Sequence, residues 1–185
     1  MSLSELWFIL ITVLFVGFFI LEGYDFGVGT VSRFLGKTDA EKRVYINTIG
    51  PYWDANEVWL ITAGGAMFAA FPHWYATMFS GFYIPLVFML LALILRAVAF
   101  EFRSKIEAYK WRNTWDWAIW IGSFLPPLLW GVVIGNFMTG MPITEDKELA
   151  GSFLQFLHPF ALLGGVMFVL LTVTHGLQFI TLRTK

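Results

Sequence analysis

The chain contains no cysteine, so disulfides, thiolate metal ligands and cysteine nucleophiles are excluded. Charged residues are also scarce, at 14% of the 185 residues. The basic ones lie in short segments between apolar runs rather than along one exposed face, so we expect no nucleic-acid binding. Residues 1–5 contain no lysine or arginine, so they lack the positively charged n-region of a secretory signal peptide. We therefore expect the first apolar segment to remain as a helix.

Apolar and aromatic residues dominate the chain instead. Hydrophobic residues make up 58% of it, with 20 Phe and 9 Trp, a composition typical of a membrane protein. Five segments reach the length of about 20 mostly apolar residues that a membrane-spanning helix requires. They are residues 6–27, 52–71, 80–100, 115–137 and 156–182. The sequence therefore predicts an all-α, polytopic membrane protein.

These segments divide the chain into three predicted parts. Residues 1–137 form a four-helix bundle, and residues 138–155 form an extracytoplasmic loop. Residues 156–185 form a fifth transmembrane helix, the start of a second bundle that is largely absent from this sequence.

The basic residues predict how the helices are oriented. Lysines and arginines follow the first, third and fifth apolar segments, whereas the opposite side has only Lys147, beside Glu145 and Asp146. Because basic residues are retained on the cytoplasmic side of a membrane, we expect the N-terminus outside and the C-terminus in the cytoplasm.

Carboxylates near the cytoplasmic ends of separate helices are the main polar feature of the apolar segments. Glu22 and Asp25 occur near the end of the first segment, and Asp54 and Glu57 near the start of the second. A carboxylate inside a spanning helix loses its water and persists only where a partner or a function compensates. We expect Arg96 to pair with a buried acid, but one arginine cannot neutralise four, and an unpaired buried acid tends to hold a proton. The acids are therefore candidates for a proton relay; the alternative is that they only fix helix positions as counter-ions to Arg96.

Other polar and small residues favour structural roles. We expect Glu101 and Asp116 to reach the membrane interface without further function. Glycines with small-residue spacing predict close helix packing. They are Gly23, Gly27 and Gly29 in the first segment, and Gly64 and Gly65, followed by Ala69, in the second.

The three histidines do not predict a haem site. His73 lies in a short outer loop, and His158 and His175 lie at opposite ends of the fifth segment. A bis-histidine haem needs ligands at one depth on two facing helices, so we expect no haem or metal ligand in this chain.

Several strings in the chain resemble subunit II of the cytochrome bd quinol oxidases. The strings are EGYDFGVG (22–29), RFLG (33–36), WDANEVWLITAGG (53–65), FRSK (102–105), WRNTWD (111–116) and GSFLPP (122–127). The resemblance implies a bacterial cytoplasmic-membrane complex that oxidises quinol and reduces oxygen to water with protons from the cytoplasm. Haem b, haem d and the quinol site then belong to subunit I, which subunit II scaffolds.

The resemblance also implies roles for individual residues. Asp25, Asp54 and Arg96 match positions of a proton path, with Glu22 as an added candidate, and Trp59 matches the mouth of an oxygen route. The implied partners are subunit I, the remainder of subunit II, quinol and membrane lipid. An accessory single-helix subunit and a bound quinone or lipid stay open.

Two departures limit this transfer. Tyr52 stands where some relatives have histidine, so no titrating role passes to that position. The family's subunit II is also longer, so the chain is either a fragment or split subunit, or a sequence that stops early. Two alternatives remain: a purely structural assembly subunit, or a proton-coupled transporter, which would place polar residues at the membrane midplane on broken helices within an inverted repeat.

Overall fold

The computed structural model describes residues 1–147, 149–150 and 153–184. Within this part of the chain the fold is all-helical, as predicted, with one isolated β-bridge between Ile143 and Leu149. The α-helices are α1 (Leu3–Leu35), α2 (Asp39–Ile49), α3 (Trp53–Ala70), α4 (Pro72–Gly81), α5 (Tyr83–Phe102), α6 (Tyr109–Thr139) and α7 (Pro159–Arg183), and a short 3-10 helix covers Phe153–Leu157.

Among the described residues, four helices are long and apolar enough to cross a membrane, namely α1, α5, α6 and α7. The remaining predicted segment, residues 52–71, forms α3, as expected, but α3 has two carboxylates in its first turns and is not among these four helices. A membrane span by α3 therefore stays a prediction.

Two helices were not predicted. Helix α2 begins with a capping box, in which the Thr38 hydroxyl accepts from Glu41 N and the Glu41 carboxylate accepts from the backbone of Thr38. Helix α4 begins with Pro72 at its first position, where the missing N–H has no helical partner to lose. His73, expected in a loop, is thus part of α4, and the loop prediction is wrong.

Helix α1 extends beyond the predicted segment at both ends, and one of its glycines packs closely on α7. An ideal Cβ placed on Gly27 would lie 2.8 Å from the backbone N and Cα of Gly176 in α7. The close-packing prediction is therefore confirmed for Gly27. It is wrong for Gly64 and Gly65, whose Cβ positions have no heavy atom within 4 Å.

The helices pack around an apolar core that draws on α1 and α3 to α7. Helix α7 packs against both α1 and α6; its assignment to a second bundle stays a prediction. Beside the core, a groove of about 500 Å³ opens between α3, α4 and α5, and Gly64 and Gly65 line it. The largest cluster of buried apolar residues contains Ile11, Phe18, Phe26, Met67, Met78, Phe82, Met89, Leu93, Trp130, Val133 and Phe156.

Candidate functional site

Helices α1, α3 and α5 meet at a buried ion cluster centred on Arg96. Its Nη2 donates to Glu22 Oε1 of α1 and, over 2.6 Å, to Glu57 Oε1 of α3. The guanidinium lies over the Phe26 ring, 4.6 Å from its centroid. Helix α6 closes the other side, since an ideal Cβ on Gly122 would lie 2.5 Å from Arg96 Cβ. The expected pairing of Arg96 with a buried acid is confirmed.

Asp25 lies one helical turn after Glu22 and is fully buried. Its Oδ2 accepts a 2.7 Å hydrogen bond from Asn56 Nδ2 of α3. The same nitrogen lies 2.8 Å from the Tyr24 hydroxyl and 3.4 Å from the Leu21 carbonyl. Neither Asn56 nor Tyr24 was among the predicted site residues, although Asn56 shares a helical turn with Glu57.

Four buried polar atoms of this cluster have no hydrogen-bond partner among the described residues. They are Glu22 Oε2, Asp25 Oδ1, Arg96 Nε and Arg96 Nη1. The cluster also contains three carboxyl groups for one guanidinium, so it reaches neutrality only by binding protons. Such an arrangement has the chemical groups needed to accept and release protons.

Two of the predicted site residues, Asp54 and Trp59, lie outside the cluster. Asp54 is exposed at the start of α3, with no hydrogen bond or ion pair among the described residues. Glu57, three residues later, has 20% of its side chain exposed and is the most open member of the cluster. Trp59 is half-buried and packs on α1 at Gly17, where an ideal Cβ would lie 2.5 Å from the indole ring.

A second ion network joins α2, the end of α5 and the start of α6. The buried Asp116 accepts from Arg103 Nε at 2.6 Å and from Lys42 Nζ at 3.1 Å. Asp39 accepts from Arg103 and from Arg112. Burial lowers the pKa of Arg103, but the hydrogen bonds and charges of Asp116 and Asp39 together outweigh this and raise the pKa overall. Asp116 is therefore a buried ion-pair partner, and the expectation that it has no further role is wrong; its depth relative to the membrane interface stays a prediction.

The three histidines do not come together. The Nδ1 atom of His158 accepts from Ala161 N and caps α7, while His175 lies 5.6 Å from the Tyr24 ring, centroid to centroid. His73 is exposed on α4. These positions do not fit a bis-histidine haem held by this chain, and the described residues contain no group of three or more metal-binding side chains.

Comparison with known proteins gives the same family over nearly the whole chain. The family model for cytochrome bd terminal oxidase subunit II matches residues 3–185. The cytochrome bd ubiquinol oxidase subunit 2 of Bacillus subtilis (strain 168) is 57% identical over 183 residues, which cover 99% of this chain and 54% of the relative. The cytochrome bd-I ubiquinol oxidase subunit 2 of Escherichia coli (strain K12) is 50% identical over 186 residues, covering 98% and 49%.

A probable cytochrome oxidase subunit 2 of Haemophilus influenzae (strain ATCC 51907 / DSM 11121 / KW20 / Rd) is 46% identical over 186 residues, covering 98% of this chain and 49% of the relative. The chain thus spans about half the length of these relatives. Together with the four apolar helices, they indicate a bacterial membrane protein. The chain belongs to the cytochrome bd terminal oxidase subunit II family.

Proposed function

We propose that the chain is a membrane-spanning portion of subunit II in a bd-type quinol oxidase, and that its buried ion cluster admits protons from the cytoplasm. The complex would oxidise quinol and reduce oxygen to water in the bacterial cytoplasmic membrane. The observation that carries the proposal is the meeting of Glu22, Asp25 and Glu57 around Arg96, where α1, α3 and α5 converge.

The charge balance supports proton binding at this cluster. Arg96 forms ion pairs with Glu22 and Glu57, which leaves Asp25 with an uncharged amide as its hydrogen-bond donor. Burying an ionised carboxylate without a cation is costly, so each proton that the cluster binds reduces its excess negative charge. Atoms without a protein partner, such as Asp25 Oδ1, are typical sites of internal water, which would connect the acids.

The way into the cluster would be through Glu57. Its side chain is partly exposed, and Asp54 lies three residues before it on the surface of α3. In our proposed orientation, with the N-terminus outside and the C-terminus inside, these residues lie near the cytoplasmic end of α3. Asp54 would collect protons, and Glu57 would pass them to Glu22 and Asp25.

The chemistry of oxygen reduction would belong to subunit I. Haem b and haem d held there would supply electron transfer and oxygen reduction, and subunit II would scaffold them and supply protons. The Trp59 indole, half-buried against α1, would lie at the entrance of an oxygen route. The remainder of subunit II, an accessory single-helix subunit, and bound lipid or quinone are further expected components.

The test replaces Asp25 by asparagine in the complete oxidase. Asp25→Asn keeps the side-chain volume and removes the proton-binding group, so we expect quinol-driven oxygen consumption to fall by about tenfold or more. Haem content, read from the absorption spectrum, stays at the wild-type level. Glu101→Gln is the matched control, because Glu101 is exposed and makes no hydrogen bond or ion pair among the described residues. Wild-type turnover in Asp25→Asn would refute the proton path.

A purely structural role is the second candidate, and the two ion pairs of Arg96 favour it. On that account the acids only hold α1, α3 and α5 in place. Asp25→Asn would then reduce assembly and haem content together, and the turnover per haem would stay unchanged.

A further inference from the structure

Among the described residues, Asn56 is the one uncharged side chain that reaches into the cluster and bonds a carboxylate there. It is buried in α3, with 6% of its surface exposed, and its Nδ2 lies 2.7 Å from Asp25 Oδ2. The amide never titrates, so its two N–H groups donate at every pH. Asn56 can therefore fix the geometry of Asp25 whether or not that carboxyl holds a proton.

The second N–H of Asn56 also has a fixed partner. The Tyr24 hydroxyl oxygen lies 2.8 Å from Nδ2. Tyr24 is itself held by stacking on Phe179 of α7, with centroids 4.2 Å apart, and by an edge contact with His175. The amide is thus oriented from two sides, by a carboxylate and by a tyrosine that α7 supports.

This orientation distinguishes the two oxygens of Asp25. Oδ2 already accepts an N–H, and a proton on that oxygen would turn it into a hydroxyl oxygen, which is a weaker acceptor for the amide than a carbonyl oxygen. Oδ1 is buried and has no partner among the described residues. The free oxygen is therefore the one that can bind a proton without displacing an existing donor.

We propose that Asn56 is a positioning residue that holds Asp25 Oδ2 and thereby directs proton binding to Asp25 Oδ1. The inference rests on the proposed proton path, because it assigns the atom at which that path is loaded. Asn56 does not carry the proton itself. Its role is to keep one carboxyl oxygen as a hydrogen-bonded carbonyl and the other as the O–H.

The proposal has a spectroscopic consequence that a structural role would not share. The C=O stretch of a protonated Asp25 would be that of a hydrogen-bonded carbonyl in the wild-type complex. Infrared difference spectra of the purified oxidase identify this band as the one that Asp25→Asn removes. Asn56→Leu has a similar volume and no N–H, so we expect it to move the band to higher wavenumber and to lower turnover.

The matched control is Asn136→Leu. Asn136 is also buried, and its Nδ2 donates to the carbonyls of Val132 and Phe156, away from the acids. We expect Asn136→Leu to leave the carboxyl band in place even where it lowers thermal stability. Should Asn56→Leu fail to assemble, the wild-type band alone decides, because a band at the position of a free carbonyl overturns the inference.

The outcomes separate this inference from the proposed function. If Asp25→Asn abolishes turnover but Asn56→Leu leaves the band unmoved, the inference is wrong and the proton path stands. If Asp25→Asn removes no carboxyl band, Asp25 holds no proton and the inference is overturned. If turnover in Asp25→Asn equals that of the wild type, the proton path itself is refuted.

Discussion

Replacing Gly27 by alanine should weaken the contact between α1 and α7. An ideal Cβ at this position would lie 2.8 Å from Gly176 N and Cα and closer still to the Thr172 carbonyl oxygen. All of these are backbone atoms of α7, so no side-chain rotation can relieve the clash. The two helices would have to separate along the packed face that joins them.

Two opposing contributions set the size of the effect. Alanine is favoured over glycine in a helix by about 1 kcal/mol. Overpacking a filled site costs about 1–3 kcal/mol, and the rigid backbone partners place Gly27 at the upper end. The net loss is therefore about 2 kcal/mol, the difference between roughly 3 and roughly 1. For a domain of 150–250 residues this lowers the Tm by about 4–8 °C.

The assay is thermal melting of the purified complex in one detergent. Gly64→Ala and Gly65→Ala are the matched controls, because the Cβ positions of both glycines have no heavy atom within 4 Å. They gain the same helix propensity without the clash and should melt at or above the wild-type temperature. A Gly27→Ala complex that melts with the Gly64→Ala control would refute the close-packing argument.

Three further predictions concern charged residues. Asp116→Asn leaves Arg103 and Lys42 without their shared buried carboxylate and should lower the free energy of unfolding by about 3 kcal/mol. Thermal melting measures this, with Glu101→Gln as the control, and equal melting temperatures of the two variants would contradict the prediction. Backbone hydrogen bonds from Thr38 and then Lys37 lower the pKa of Glu41, so the stabilisation of α2 by Glu41 is complete above the ordinary glutamate pKa and is lost as pH falls through the lowered pKa. Amide exchange of α2 should speed up over this pH range in the wild type but not in Glu41→Gln. The same pH dependence in both proteins would contradict the prediction. Asp54→Asn should slow oxygen consumption without loss of haem, and the decrease should be smaller than in Asp25→Asn because solvent also reaches Glu57 directly. Wild-type turnover in Asp54→Asn would show that Asp54 is not part of the path.

The sequence predicted well the helices that are formed by long apolar runs. Long apolar runs predicted the helices α1, α3, α5, α6 and α7, and Arg96 within one of them had to find an acid because a lone buried charge is too costly. Helix α2 has 11 residues and low hydropathy, so its signal was the Thr38 capping box rather than an apolar run. Long apolar runs alone therefore do not predict α2.

The site was predicted only in part, because the register between helices is absent from a single sequence. Asp54 and Glu57 have the i, i+3 spacing of one helix face, yet Asp54 is exposed and Glu57 pairs with Arg96. Residues three apart differ by about 60° around a helix, which is enough to put one inside a contact and the other outside. The role of Asn56 depends on which residue of α1 it meets, and no pattern within α3 predicts that.

The composition of the cluster argues for a function beyond holding helices together. A buried ion pair contributes little net stability, since the desolvation of both charges offsets their attraction, and apolar residues of similar volume often serve as well. If the cluster served packing alone, one acid would suffice for Arg96. Instead Glu22 and Glu57 both pair with Arg96, and Asp25 is buried one helical turn from Glu22 with only an amide as its donor. The cluster thus has two more carboxyl groups than one guanidinium can neutralise. Surplus acids weaken packing, but they supply groups that can bind and release protons.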